Sequence, residues 1–209
     1  MMSPRGAWLA APLLLCALSL PARAEEAGAV QERPRVEEVE HGFTTGGQFG
    51  ALFMRAPGEG GGLAVGTLAG VSVGYDITSW IGISLFLLSG AVVAPNDYAG
   101  LSGGAVTGDF TVFLPGGEVK VHIPLGSDSN GVDRLYLDLG LGAGALFPRP
   151  TDLIVKGPLA AGKADVGIEY FTHLRHLSLG LRVDGFVAPV PSSSSLAALG
   201  ISPFIRYSF

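Results

Sequence analysis

The last ten residues, Gly200-Ile201-Ser202-Pro203-Phe204-Ile205-Arg206-Tyr207-Ser208-Phe209, constrain the fold more than any other stretch. Ile201, Pro203, Ile205, Tyr207 and Phe209 fall on one face of an extended chain. Gly200, Ser202, Arg206 and Ser208 fall on the other, with Phe204 the one large apolar residue among them. A period of two marks a strand with one apolar face, which suits a water-soluble sheet as well as a membrane one. The rest of the chain narrows the choice. Hydrophobic residues make up 48% of the sequence, yet beyond residue 24 no apolar run is long enough for a membrane helix. The longest, residues 80–93, is broken by Gly82, Ser84, Ser89 and Gly90. High apolar content spread over alternate positions is the composition of a membrane-spanning β-barrel, whose strand edges must all be paired because hydrocarbon offers no other hydrogen-bond partner.

The amino-terminal stretch reads as an export signal. Arg5 precedes a mostly apolar run over residues 7–20, and Ala22-Arg23-Ala24 before Glu25 has the small-x-small pattern of a signal-peptidase site, so cleavage is expected after Ala24. A run of that length interrupted by Pro12 is too short to span a bilayer as a helix. Cys16, the only cysteine, leaves with the signal, and Leu15 before it is too large for a lipoprotein cleavage site. The mature chain is therefore expected to carry no disulfide, no lipid anchor and no thiol for catalysis or metal binding. Removing residues 1–24 takes two of the 13 basic side chains and none of the 18 acidic ones, which leaves a net charge of −7 and argues against a nucleic-acid partner. Residues 25–42 hold Glu25, Glu26, Glu32, Glu37, Glu38 and Glu40 against Arg33 and Arg35 without apolar period, and read as a flexible acidic leader in the periplasm. The rest, residues 43–209, is one domain.

Alternation places the strands. Strand one spans 43–55 with Phe49, Ala51 and Phe53 outward; strand two spans 63–75 with Leu63, Val65, Thr67, Ala69, Val71, Val73 and Tyr75 outward. Strand three spans 80–93 with Ile81, Ile83, Leu85 and Leu87 outward. Strand five spans 134–147 with Leu135, Leu137, Leu139 and Leu141 outward, strand six 162–172 with Val166, Ile168 and Tyr170, and strand seven 177–188 with Leu177, Leu179, Leu181 and Val183. Residues 200–209 form strand eight. Segment 108–125 decides the count. Phe110, Val112 and Leu114 put apolar residues on even positions, whereas Val119, Val121, Ile123 and Leu125 put them on odd ones, with Pro115-Gly116-Gly117 between. A hairpin there gives nine strands; a bulge, whose extra residue switches the parity, gives eight. Bacterial single-chain barrels have even strand numbers, so a bulge in one long strand four is expected. With both termini periplasmic, turns 76–79, 126–133 and 173–176 fall inside, and loops 57–62, 94–107, 148–161 and 189–199 outside.

A final strand ending in Phe209, with Tyr207 two residues earlier, resembles the assembly signal of bacterial outer-membrane barrels, which implies recognition by the barrel assembly machinery. Residues 43–209 resemble the small eight-stranded outer-membrane β-barrels of the OmpA, OmpX and OmpW type. The resemblance implies an all-β, antiparallel, up-and-down transmembrane barrel in the outer membrane, surrounded by its lipid. The chain is also similar in size and in Gly- and Ala-rich composition to barrel components of adventurous gliding-motility machines, although no motif adds to that likeness.

The inward positions gather Glu118, Lys120, His122, Asp138, Asp165, Glu169, Arg182, Asp184 and Arg206. Ionisable groups inside a membrane protein need partners, and both signs are present here. One reading is a proton or ion relay; the other, which the narrow bore of eight strands favours, is an ionic plug that fills the lumen. His176-Leu177-Ser178 resembles, in spacing alone, the His-x-Ser pair of lipid A deacylase barrels, but the expected topology puts it at the periplasmic end, away from the leaflet that holds lipid A. Gly140-Leu141-Gly142-Ala143-Gly144 lacks the Lys-Ser/Thr of a phosphate loop and reads as small residues packing a narrow lumen. His41, His122 and His173 have no ligand spacing, so no metal and no cofactor are expected. Three function classes follow: a non-enzymatic structural or interaction barrel with envelope partners, ranked first; an OmpW-like passage for small apolar molecules, to which Phe86, Leu88 and Phe204 in the lumen lend support; and a lipid-modifying enzyme, for which the expected outer loops 94–107, 148–161 and 189–199 supply no His.

Overall fold

A chain that alternates apolar and small or polar residues over eight segments can bury its backbone in lipid only by pairing the last strand with the first. The computed structural model, which describes residues 42–55, 63–93, 109–149, 157–174, 176–190 and 195–209, has that closure. Its strands are β1 (Phe43–Arg55), β2 (Leu63–Asp76), β3 (Ile81–Val93), β4 (Asp109–Ser127), β5 (Asp133–Arg149), β6 (Leu159–Phe171), β7 (Leu177–Ala188) and β8 (Leu196–Ser208). Each is antiparallel to the next, and β8 closes on β1 from Thr44↔Ser208 to Arg55↔Ala197. The expected signal segment, the leader to residue 41, loops 57–62 and 94–107 and parts of the other two outer loops lie outside the described residues.

The outside is apolar. Val71 is 61% exposed and Leu141 71%, and the same face carries Phe49, Val73, Leu85, Val119, Ile168, Leu181 and Ile205. A continuous apolar exterior of this size is not a water-facing surface; it is the belt a barrel presents to lipid. Aromatics ring the end that holds Phe43 and Phe209, here called the inner end. Phe43 meets Tyr75 edge-on at 5.1 Å and Tyr207 meets Phe209 at 5.0 Å, with Trp80 and Tyr170 also exposed. Amphipathic rings at this level form the interfacial girdle of such barrels.

The count of eight holds, but the bulge does not lie at Pro115-Gly116-Gly117. β3 and β4 pair without interruption from Val93↔Asp109 through Leu87↔Pro115 and Leu85↔Gly117 to Ile81↔Val121. Phe113 points outward like Val119 and Ile123, while Val112 and Leu114 are buried on the same side as Glu118 and Lys120. No parity switch occurs because Val112 and Leu114 line the lumen. The register shift falls at Pro124–Ser127, where β4 leaves β5 near the inner end. Several strands also extend beyond the expected limits: β6 back to Leu159 and β8 back to Leu196, β4 to Ser127, β5 to Arg149 and β2 to Asp76. Those extensions include Ala160, Ala161, Ala197 and Ala198, whose small side chains give little contrast between faces.

Inside, the lumen is apolar toward the outer end. Leu52, Met54, Leu68, Leu88, Val92, Val112, Leu114, Leu146 and Leu196 pack together, nearly all without solvent exposure. Each fully buried Leu or Val contributes about 1.5–3 kcal/mol. The charged residues occupy the middle and the inner end.

Candidate functional site

The nine ionisable residues expected in the lumen all point there, and the structure separates them into two groups. The middle group centres on Lys163, whose ammonium lies 2.6 Å from Glu118 Oε2 and 3.1 Å from Asp184 Oδ1 and donates to Asp165 Oδ2. Lys120 Nζ reaches Glu118 Oε1 at 2.8 Å, and Arg182 Nε stands 3.5 Å from Asp165 Oδ1. Neutral donors complete it: Ser84 Oγ donates to Glu118 Oε1 at 2.9 Å, and Gln48 Nε2 to Asp184 Oδ2 at 2.9 Å. The cations also sit on rings, with the Arg182 guanidinium 4.4 Å from the centroid of Phe204 and Lys163 Nζ 5.1 Å from that of Phe86. Three acids, Glu118, Asp165 and Asp184, face three bases, Lys120, Lys163 and Arg182, so this group is neutral. Such closure is what a water-poor interior requires. Between these side chains lies a cavity of about 20 Å³ lined by Gln48, Phe86, Glu118, Lys120, Lys163 and Arg182 among others, enough for one water molecule.

The second group lies toward the inner end. Arg206 Nε donates to Glu169 Oε1 at 2.8 Å and its Nη1 lies 3.4 Å from Asp76 Oδ1, with Phe171 5.3 Å below the guanidinium. His122 Nδ1 is 2.8 Å from Asp138 Oδ1 and 4.0 Å from Glu169 Oε2, while its Nε2 is 3.8 Å from Asp76 Oδ1. Three acids here face one arginine and one imidazole. His122, Asp138 and Glu169, from β4, β5 and β6, each offer one ligand atom within 4.8 Å of the others. They are far apart in sequence, which is why spacing gave no sign of a ligand set. At the rim, Arg134 Nε pairs with Asp128 at 2.7 Å, and its Nη1 donates to the Thr172 carbonyl at 2.9 Å. The Arg134 hydrogen bond, then the backbone N–H of Val132, hold the half-buried Asp128 carboxyl below its usual pKa.

Lys163, Asp76, Gln48 and Ser84 are members that sequence reasoning missed. Lys163 shares the parity of Asp165 and stood at the edge of the expected strand six. Asp76 shares the parity of Ser72 and Gly74 but falls in the expected turn 76–79; its amide donates to the Gly42 carbonyl at 2.8 Å and keeps it on β2. Gln48 and Ser84 carry no charge to draw attention. The inward glycines of β5 do pack the lumen: a Cβ on Gly144 would lie 2.3 Å from the Pro115 carbonyl oxygen, so this close backbone approach needs glycine. His176 and Ser178 diverge. The Ser178 hydroxyl donates to Glu169 inside the lumen, whereas the His176 ring stacks on Tyr207 at 5.4 Å and its Nδ1 meets the Ser208 carbonyl at 3.0 Å.

No protein-family model matches the chain, and no curated protein matches its sequence. Among solved structures it is similar to Neisserial surface protein A, with 14% identity and a TM-score of 0.58 over 80% of this chain and 97% of that one. It is also similar to the outer membrane protein AlkL determined in lipid bilayers, with 16% identity and a TM-score of 0.51 over 85% of this chain and 94% of that one. At such identities the likeness is one of fold. The fold is that of the small eight-stranded outer-membrane barrels, and the apolar belt fits the same membrane.

Proposed function

We propose that the protein is a non-enzymatic outer-membrane barrel with a lumen plugged by side chains, serving as a rigid structural or interaction component of the cell envelope. The observation that carries this reading is the neutral three-by-three ionic group across the middle of the bore, with room between its members for about one water. Eight strands enclose space for side chains or one small ligand, while porin channels need about sixteen strands. A plugged barrel contributes its surfaces rather than its bore, so the acidic leader and outer connections are where envelope partners would meet it. A narrower form, one subunit of a gliding-motility complex, rests on size and on Gly- and Ala-rich composition.

Planar-bilayer recording on refolded protein tests the plug, and silence is expected; steady conductance in the range of a general porin would sink it. Crosslinking followed by affinity purification from outer membranes tests the interaction role. Recovery of the barrel alone would count against it. The second reading, a passage for small apolar molecules, draws on the apolar outer half of the lumen around Leu52, Leu88 and Leu114. Faster uptake of a hydrocarbon by cells carrying the barrel than by cells without it would favour that reading.

A further inference from the structure

We propose that His122, Asp138 and Glu169 form a lumen site for one divalent transition-metal ion of the zinc class. The inference stands on geometry and charge and does not depend on the function proposed above. The middle ionic group is neutral, but the inner one is not. Asp76 on β2, Asp138 on β5 and Glu169 on β6 face a single guanidinium, Arg206 on β8, beside the His122 imidazole on β4. Lys120, two residues along β4, is committed to Glu118, and Arg134 is paired with Asp128. Three carboxyls face one guanidinium there, so with all three ionised the inner group holds two more negative charges than Arg206 offsets, and burial leaves it in need of positive charge from protons or a cation. One divalent ion supplies it.

Two of these carboxyls also keep an oxygen unbonded, and His122, Asp138 and Glu169 each offer one ligand atom within 4.8 Å of the others. Arg206 and Ser178 both bond Glu169 through Oε1, which leaves Oε2 without a partner; His122 bonds Asp138 through Oδ1, which leaves Oδ2 without one. Both residues are almost wholly buried, at 0% and 1% exposure. His122 Nδ1, bonded to Asp138 Oδ1 at 2.8 Å, lies 4.0 Å from the free Glu169 Oε2. Ligand atoms around a tetrahedral zinc, with bonds of about 2.0–2.1 Å, lie roughly 3.4 Å apart, between those two separations. Metal on Nδ1 leaves the ring proton on Nε2, which otherwise has no partner and faces Asp76 Oδ1 at 3.8 Å. A carboxylate behind a ligating imidazole is the usual outer support of such a site. One imidazole nitrogen with two carboxylates suits zinc and its neighbours; calcium and magnesium prefer oxygen alone.

The test uses full-length protein without a polyhistidine tag, purified from outer membranes, stripped with chelator, dialysed against zinc and assayed for metal per folded chain. One zinc per chain is expected, with binding at least tenfold weaker in His122→Ala and Glu169→Gln and unchanged in His173→Ala, whose imidazole lies in an exposed turn. Heat-modified gel mobility confirms that each variant is a closed barrel. Should the lumen variants not fold, cobalt(II) loaded into the unmutated protein gives the answer. Strong visible bands of a low-coordinate nitrogen-bound ion support the site, and a spectrum like that of aqueous cobalt overturns it. Absence of stoichiometric zinc in the folded unmutated protein, or equal binding by His122→Ala, also overturns it and assigns the missing positive charge to protons.

Discussion

The backbone N–H of Phe209 donates to the carbonyl of Phe43 at 2.8 Å, so the β1–β8 seam runs to the terminal residue. Its ring is 67% exposed and touches Tyr207 edge-on. Deleting Phe209 removes one seam hydrogen bond, worth about 1 kcal/mol net, and little buried surface. The folded barrel should therefore survive the deletion, whereas assembly should suffer if Tyr207 and Phe209 are read by the assembly machinery. Expected are lower outer-membrane levels and protease-sensitive chain in the periplasm. Unchanged membrane levels would make the terminal aromatic incidental.

Lys163 touches all three acids of the middle group. Lys163→Met strands those carboxylates in a closed interior and should destabilise the barrel by roughly 3–5 kcal/mol. Adding Glu118→Gln removes one stranded charge, so the double variant should lose less than the sum of the singles, with a coupling of about 0.5–3 kcal/mol. Urea unfolding in lipid vesicles measures both. Strict additivity would mean that the two side chains do not interact.

Val71 lies mid-strand on the lipid face, paired with Gly47 and Leu87. Val71→Lys should cost about 2–4 kcal/mol, the penalty for a cation near the bilayer midplane, and Val71→Leu almost nothing. A lysine penalty near zero would place this position outside the hydrocarbon.

Asp128 gives a pH-dependent turn. Its folded-state pKa is lowered by Arg134 and by the N–H of Val132, so the turn gains stability that is fully present above the unfolded value near 3.8 and is lost as pH falls through the lowered folded value. Amide exchange at Asn130 and Val132, which both donate to Asp128 Oδ1, should speed up at acid pH relative to its intrinsic rate. In Asp128→Asn that acid-dependent increase should disappear. An increase of the same size in both proteins would remove Asp128 from the account.

The period of two is a local property of extended chain, and for that reason the sequence alone determined which residues of β2, β5, β7 and β8 face lipid, and therefore the barrel class. It also determined that nine ionisable groups point inward. It misplaced the bulge because alternation reports an apolar face without saying whether lipid or an apolar lumen covers it; Val112 and Leu114 needed the opposite wall, with Leu88 beside them, to be assigned. Which charges meet was decided by strand register together with closure. His122, Asp138 and Glu169 lie on three successive strands, and each contact depends on a register that a one-residue slip would invert. Partner identity, the neutrality of the middle group and the excess acid at the inner end are properties of strand pairing around a closed ring, so they appear only when β8 reaches β1.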